Sequence, residues 1–258
     1  MNYSKVAEHI TAWLRDYCDK AGLSGFIVGI SGGVDSGLAS TLCARTGKKT
    51  ILLSMPIHQG HAEYDRAKSH IADLEKRFPN VTSLDIDLTA TFDQLLNDLP
   101  EDAANHQLSM ANTRSRLRMT TLYAVGQAND CLVCGTGNKV EDFGVGFFTK
   151  YGDGGVDVSP IADLTKSDVW ALATEVGVIQ EIVDAVPTDG LWNDGRSDED
   201  HIGASYPELE WAMEYKGDGT ILSERQQEVL KIYNHWHRIT KHKIEPIPVC
   251  MIPEELKK

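Results

Sequence analysis

Apolar residues recur along this chain at two spacings, and the spacing changes from segment to segment. Val6, Ile10, Leu14 and Tyr17 fall three or four positions apart, which predicts an amphipathic helix over Lys5 to Lys20, closed by Gly22. The continuous run from Gly25 to Ile30 reads as a buried strand, followed by a glycine turn and a helix from Asp35 to Arg45. Thr50 to Met55 and Val81 to Ile86 are further strands, with a helix over Ala62 to Phe78 between them. Helical patterns at Thr91 to Leu96 and Ala111 to Ala128 precede a strand at Cys131 to Gly135. Two more helices are expected over Lys166 to Val176 and Gln226 to Thr240. Thr165 and Asp168 have the spacing of a capping box at the start of the first of these.

Strands that alternate with helices of this length imply an α/β fold. The expectation is a three-layer α/β/α sandwich with a parallel, doubly wound sheet covered on both faces. Two stretches break the pattern. Thr136 to Pro160 is glycine-rich and polar, too long for a plain connector, and reads as a functional or mobile loop. Thr188 to Ala204 is acidic and turn-prone, so partial disorder without a ligand is expected there. No internal repeat or low-complexity tract is present.

Composition narrows the function. The 258 residues carry 25 basic and 38 acidic side chains, a net charge of −13 that repels nucleic-acid backbones and anionic membrane surfaces. One domain over 1–258 is the natural reading of this length. The five cysteines are scattered, the N-terminal segment lacks the layout of a secretion signal, and no apolar run is long enough to cross a bilayer. A protein of the reducing cytoplasm is expected, with nucleic-acid and membrane-surface roles disfavoured.

The segment GISGGVDSGLAS, Gly29 to Ser40, supplies the first chemistry. It follows a buried strand and opens a helix, the edge of a parallel sheet where ligands bind. Ser31, Gly32 and Gly33 lack bulk, so their N–H groups can converge on an anion beside the positive end of the helix. The segment is neither GxxxxGK[ST] nor GxGxxG. Asp35 stands where a phosphate loop of the former kind has lysine, and a carboxylate beside phosphates makes sense only with a metal ion between them.

SGGVDS resembles the pyrophosphate loop of the ATP pyrophosphatase superfamily, whose fold is the adenine nucleotide alpha hydrolase type. NTRSRLRM (Asn112 to Met119), GTGNKVE (ending at Glu141), FFTKYGDGGVD (ending at Asp157), PIADLTK (ending at Lys166) and PTDGL (with Thr188) follow in order. Together they are similar to the ammonia-dependent NAD synthetase family, from about Ser4 to Pro248. The resemblance implies amidation of deamido-NAD with ammonia, using ATP and giving AMP and pyrophosphate through an acyl adenylate. It implies no glutaminase domain and a homodimer.

Site residues follow from that likeness. Gly29, Ile30, Ser31, Gly32, Gly33, Val34, Asp35 and Ser36, with Thr136, Lys166 and Thr188, match ATP contacts. Asp35 and Glu141 match Mg²⁺ ligands and, with Lys166, the catalytic group. Arg116, Lys150, Asp157, His242 and Lys243 match contacts to deamido-NAD. Of Arg114, Arg116 and Arg118, at most one or two reach ligand, because i and i+2 diverge on a helix. Phe147, Phe148 and Trp192 are candidates for stacking on a ring, with core packing as their ordinary use. Two departures from the family stand out. Ser54, Met55 and Pro56 lie where bacterial members often carry an arginine, and Ile244 follows His242 and Lys243 where arginine is common.

Two other classes compete. A transfer-RNA thiolating enzyme of the same superfamily would employ Cys131 and Cys134, yet residues three apart on a strand point to opposite faces. A non-catalytic nucleotide sensor would keep the turn alone. His235 and His237, an H-x-H pair, face different sides of a helix and carry no metal role.

Overall fold

The computed structural model describes residues 1–187, 197–217, 219 and 221–257. Its four strands, β1 (Gly25–Gly29), β2 (Lys49–Ser54), β3 (Val81–Asp85) and β4 (Cys131–Val133), are all parallel and ordered β3-β2-β1-β4. The register places Ile27 beside Ile51 on one side and Val133 on the other. Each strand ends a residue or two before its apolar run does, and Cys134 extends β4 only as a bridge to Val158.

Alternation along the strands divides the core into two layers. Phe26, Val28, Leu52, Leu132 and Cys134 point to one face. Helices α1 (Tyr3–Ala21), α2 (Val34–Arg45), α3 (His61–Arg77) and α7 (Lys166–Glu175) contribute to that layer, as does Ile182 of α8 (Gln180–Val183). Ile27, Ile51, Leu53, Cys131 and Val133 point to the other face. There they meet α4 (Thr89–Asp98) and α6 (Gln107–Ala128), with α5 (Glu101–Ala104) between those two helices in the chain. Cys131 and Cys134 thus fall in different layers, and Cys134 lies against Cys43 with the sulfurs 3.4 Å apart.

α1 ends at Gly22, whose φ of 67° closes the helix in the left-handed form that glycine adopts without strain. Its apolar stripe, Ala7, Ile10, Leu14 and Cys18, is buried within the chain. α2 is buried on nearly every side, which explains its small residues. The predicted capping box holds: Asp168 N–H donates to Thr165 Oγ1 and Thr165 N–H to Asp168 Oδ2, both at 3.3 Å.

A third apolar cluster stands beyond the sandwich. It joins Val140 and Val145 to residues of α9 (Asp198–Ile202), α10 (Tyr206–Glu214) and α11 (Glu224–Ile244). Here the structure corrects the sequence reading. The expected loop 136–160 contains a π-helix, Val140–Val145. Part of the stretch expected to be disordered, from Ser197 to Gly203, is a capped helix, while 188–196 lie outside the described residues. α10 and the short helices had no counterpart in the periodicity, and α11 runs beyond both predicted ends.

The strand order fixes where a ligand can sit. The chain moves from β1 outward to β2 and β3, then crosses back to place β4 on the other side of β1. The carboxyl ends of β1 and β4 therefore flank a topological switch point, the place where open parallel sheets bind ligands.

Candidate active site

The glycine turn leaves β1 at this switch point and is braced from within. Ser36 Oγ donates to the Gly33 carbonyl at 2.9 Å, Ser31 N–H donates to Ser36 Oγ at 3.3 Å, and Gly33 N–H donates to Ser31 Oγ at 3.2 Å. Outside support comes from Gln59 Nε2, which donates to the Ser31 carbonyl, and from Arg66 Nε of α3, which donates to that of Gly32. Gly32 has φ of 89°, and a Cβ there would lie 2.5 Å from the Glu63 carbonyl oxygen. Only glycine fits. The first N–H groups of α2 have no partner within the helix, so the turn presents donors and a positive dipole end together. At the same sheet edge a cavity of about 380 Å³ opens between Pro56, Gln59, Tyr64, Asp85 and Asp87.

Lys166 is the centre of the site. It is the first residue of α7, only 2% exposed, and its ammonium donates to Asp35 Oδ2 at 2.6 Å and to Glu141 Oε1 at 2.9 Å. Asp35 lies in the first turn of α2 and Glu141 on the π-helix, so three separate elements supply the cluster. Asn138 ties two of them together. Its Nδ2 donates to Asp35 Oδ1 at 3.0 Å, while its Oδ1 accepts the N–H groups of Val140 and Glu141 at 3.1 Å each. The buried Tyr206 hydroxyl donates to Glu141 Oε1 at 2.6 Å, and its ring centroid lies 4.8 Å from the Lys166 ammonium.

Burial works against every charge in this cluster, and the pairing decides the outcome. Burial disfavours the Lys166 ammonium, but Asp35 and Glu141 hold its pKa above the ordinary lysine value. Asp35 is pushed up by burial, against the pull of Lys166. Burial pushes Glu141 up as well, yet Lys166 and the Tyr206 hydroxyl bring it below the usual carboxylate range. Beside it, burial and the neighbouring carboxylates of Glu141, Asp153 and Asp35 raise Asp142 to about 8. One ammonium thus stands between two carboxylates whose titrations are pulled in opposite directions. Such a cluster can exchange its internal cation for contacts to phosphate and a divalent ion.

Comparison with known proteins decides the family. The profile of the NAD synthase family matches residues 6–247. The chain belongs to the NAD synthase family. These are ligases of NAD biosynthesis that use ATP as co-substrate. The NH(3)-dependent NAD(+) synthetase of Carboxydothermus hydrogenoformans is 34% identical over 94% of this chain and 96% of its own. Among solved structures, an NMN synthetase from Francisella tularensis is 30% identical with a TM-score of 0.85, covering 98% of this chain and 99% of that one. NAD+ synthetase from Burkholderia pseudomallei is 28% identical with a TM-score of 0.72, over 94% and 90%.

Within this NAD synthase chain, the residues matched to the acid substrate divide into two groups. Four are strung together through backbone oxygens. Arg116 Nε donates to the Lys150 carbonyl at 3.3 Å, Lys150 Nζ to that of His242 at 2.6 Å, and Lys243 Nζ to that of Phe148 at 2.6 Å. These bonds strap loop 147–150 to the end of α11. The His242 ring is exposed and turned toward its own helix, with Nδ1 3.1 Å from the Ile239 carbonyl. Asp157 is not part of this group. It accepts from Tyr123 Oη at 2.9 Å and from the Val133 N–H at 2.8 Å, which makes it a clamp on β4. Thr136 follows Gly135, whose N–H donates to the Val158 carbonyl at 2.7 Å, so it stands at the carboxyl end of β4. Thr188 and Trp192 lie outside the described residues. Phe147 meets the rings of His201 and Trp236 edge-on and serves the third core cluster.

Three residues of the site escaped the sequence reading. Asn138 lies inside the quoted GTGNKVE, where its only signal was company. Tyr206 follows Ser205 of a capping box and reads as an ordinary core aromatic. Arg118 was named beside Arg114 and Arg116, and the family likeness singled out Arg116 alone. In the structure its Nε donates to the carbonyl of Met55, within the Ser54–Pro56 stretch that lacks an arginine of its own.

Proposed function

We propose that this chain amidates the nicotinate carboxyl group of deamido-NAD with ammonia, consuming ATP and releasing NAD, AMP and pyrophosphate. The observation that carries the reading is Lys166 held between Asp35 and Glu141 beside an anion-shaped turn at the switch point of the sheet. A carboxylate resists amines because its charge repels nucleophiles and oxide is a poor leaving group. Attack of the carboxylate oxygen on the α-phosphorus of ATP forms an acyl–phosphate bond, breaks the bond to pyrophosphate and removes both obstacles. Ammonia then displaces AMP.

Each group has a defined part. The backbone N–H groups of the Gly29–Ser36 turn receive the departing pyrophosphate, and Ser31 and Ser36 can redirect hydroxyls now bonded within the turn. Lys166 transfers its ammonium from the carboxylates to a phosphate oxygen. Asp35 and Glu141 suit Mg²⁺, because two hard oxygen donors already converge on one cation position and phosphates complete such sites. When bound there, the ion screens the charge between two anionic substrates. Lys150 on the strapped loop, Arg116 of α6 and Lys243 of α11 are candidate contacts for the dinucleotide, and Thr136 and, by family likeness alone, Thr188 are candidates for ATP. Asp157, already holding β4, supports the site from beneath.

Purified chain supplied with ATP, Mg²⁺, deamido-NAD and ammonium should yield NAD, AMP and pyrophosphate in equal amounts. ADP as the nucleotide product would overturn the proposal. Free ammonia as nitrogen source is supported by the NH(3)-dependent relatives, and glutamine alone should not replace it. We further place the enzyme in the cytoplasm, the reducing compartment that suits its free cysteines, and as a homodimer, to be measured by light scattering. Among the described residues no helix is long and apolar enough to cross a membrane.

A second reading has one observation in its favour: the TM-score of 0.85 to an NMN synthetase against 0.72 to the NAD+ synthetase. On that reading the acid substrate is nicotinate mononucleotide, and the same assay run with it in place of deamido-NAD separates the two by their kcat/KM ratio.

A further inference from the structure

Arg118 sits on α6, and Leu122, one turn further on, packs with the Met55 methyl against the place where Gly29 would carry a Cβ, at 3.5 and 3.3 Å. The guanidinium is therefore carried over the carboxyl ends of β1 and β2, beside the glycine turn. Its Nε donates to the Met55 carbonyl at 3.0 Å. Burial lowers its pKa to about 10, with Arg114 adding to the effect and the more distant Glu63 and Asp153 opposing it.

Two features make this arginine unusual. Among the described residues no carboxylate lies within ion-pairing distance of it, whereas Lys166 has two. A guanidinium has five N–H donors, and among the described residues one is used. Its terminal nitrogens are not sealed away from solvent. Holding a desolvated cation without a counter-charge costs free energy, and a single neutral carbonyl does not offset it. A planar fork with free donors at the mouth of an anion-binding turn matches two oxygens of one phosphate.

We propose that Arg118 binds a phosphate group of a nucleotide substrate as a two-pronged donor, in the crevice beside the Ser31–Ser36 turn. The identity of that nucleotide rests on the amidation reading. The phosphate belongs either to ATP or to the nicotinate nucleotide.

Calorimetric titration of the full chain with ATP and Mg²⁺, with deamido-NAD and with nicotinate mononucleotide tests the proposal, comparing wild type with Arg118→Met and Arg118→Lys. Arg118→Met should weaken at least one nucleotide about tenfold or more, and the arm affected names the source of the phosphate. Arg118→Lys, which keeps the charge and loses the fork, should recover part of that affinity. Steady-state kinetics should show the same loss as a raised KM for the affected substrate. Affinities within twofold of wild type in every arm, with only the melting temperature lowered, would mean that Arg118 merely anchors Met55, and the proposal fails. If Arg118→Met does not fold, Arg118→Lys decides alone: about threefold or greater weakening supports the fork, and unchanged affinity overturns it. A wild-type chain that binds no nucleotide would instead sink the amidation reading.

Discussion

Lys166 Nζ lies 2.6 Å from Asp35 Oδ2, across 131 positions of sequence, and the pair is closed on its other side by Glu141. The ammonium is therefore already desolvated and paired when a nucleotide arrives. Exchange of one set of anionic oxygens for another is less costly than stripping water from a free lysine.

Replacing Lys166 with methionine leaves two carboxylates facing each other in a half-buried space. Removing one partner of a buried pair typically costs about 3–5 kcal/mol, and a loss of that order is expected in chemical denaturation at pH 7. The lost cation also raises both carboxyl pKa values in the folded state. The variant should then become less stable as pH rises from about 4 to 7, a window in which the unfolded carboxyls are already ionised. AMP formation should fall below detection.

Tyr206→Phe removes the hydroxyl that donates to Glu141 at 2.6 Å while keeping the ring over Lys166. Glu141 keeps the bond from Lys166, so the loss is that of one hydrogen bond to a charged group, about 1.5–3 kcal/mol. Because that hydroxyl holds the Glu141 pKa down, the acidic limb of the rate profile should move to higher pH in the variant. An unshifted limb with reduced kcat would show that the hydroxyl acts elsewhere.

Gly32→Ala tests the turn. At a φ of 89°, with a Cβ directed at the Glu63 carbonyl, the substitution must move backbone, for which about 1–3 kcal/mol of strain is typical. The fold should survive, since the two core layers do not involve this residue. Binding of ATP should weaken more than tenfold by titration, and an affinity equal to wild type would show that the turn does not touch phosphate.

His70 predicts how the fold fails in acid. It is fully buried on α3, its Nε2 lies 2.9 Å from Ser40 Oγ, and burial lowers its pKa to about 4. The unfolded chain takes up a proton near pH 6.5 that the folded chain refuses. Its contribution is intact above pH 6.5 and is lost as pH falls toward 4, by at most about 1.4 kcal/mol per unit. Denaturation midpoints at pH 7 and 4.5 should diverge less in His70→Gln than in wild type.

What the chain settled unaided was whatever depends on neighbours in sequence. Strand and helix periods, the stop at Gly22, the capping box of Thr165 and Asp168 and the glycine turn all rest on local backbone preferences, so their order already implied a parallel sheet with helices on both faces. Glu141 and Lys166 were legible only through likeness to a family, because nothing local distinguishes them from solvated charges. Tertiary structure alone decided the rest. The order β3-β2-β1-β4 set β4 beside β1, and the third apolar cluster brought Tyr206 over Lys166. Asn138 became a bridge, Asp157 a clamp on β4 and Arg118 a donor to the Met55 carbonyl through contacts with distant elements. The reason is physical: burial and pairing, which set the charge and reach of a side chain, are properties of the packed surroundings and have no period along the chain.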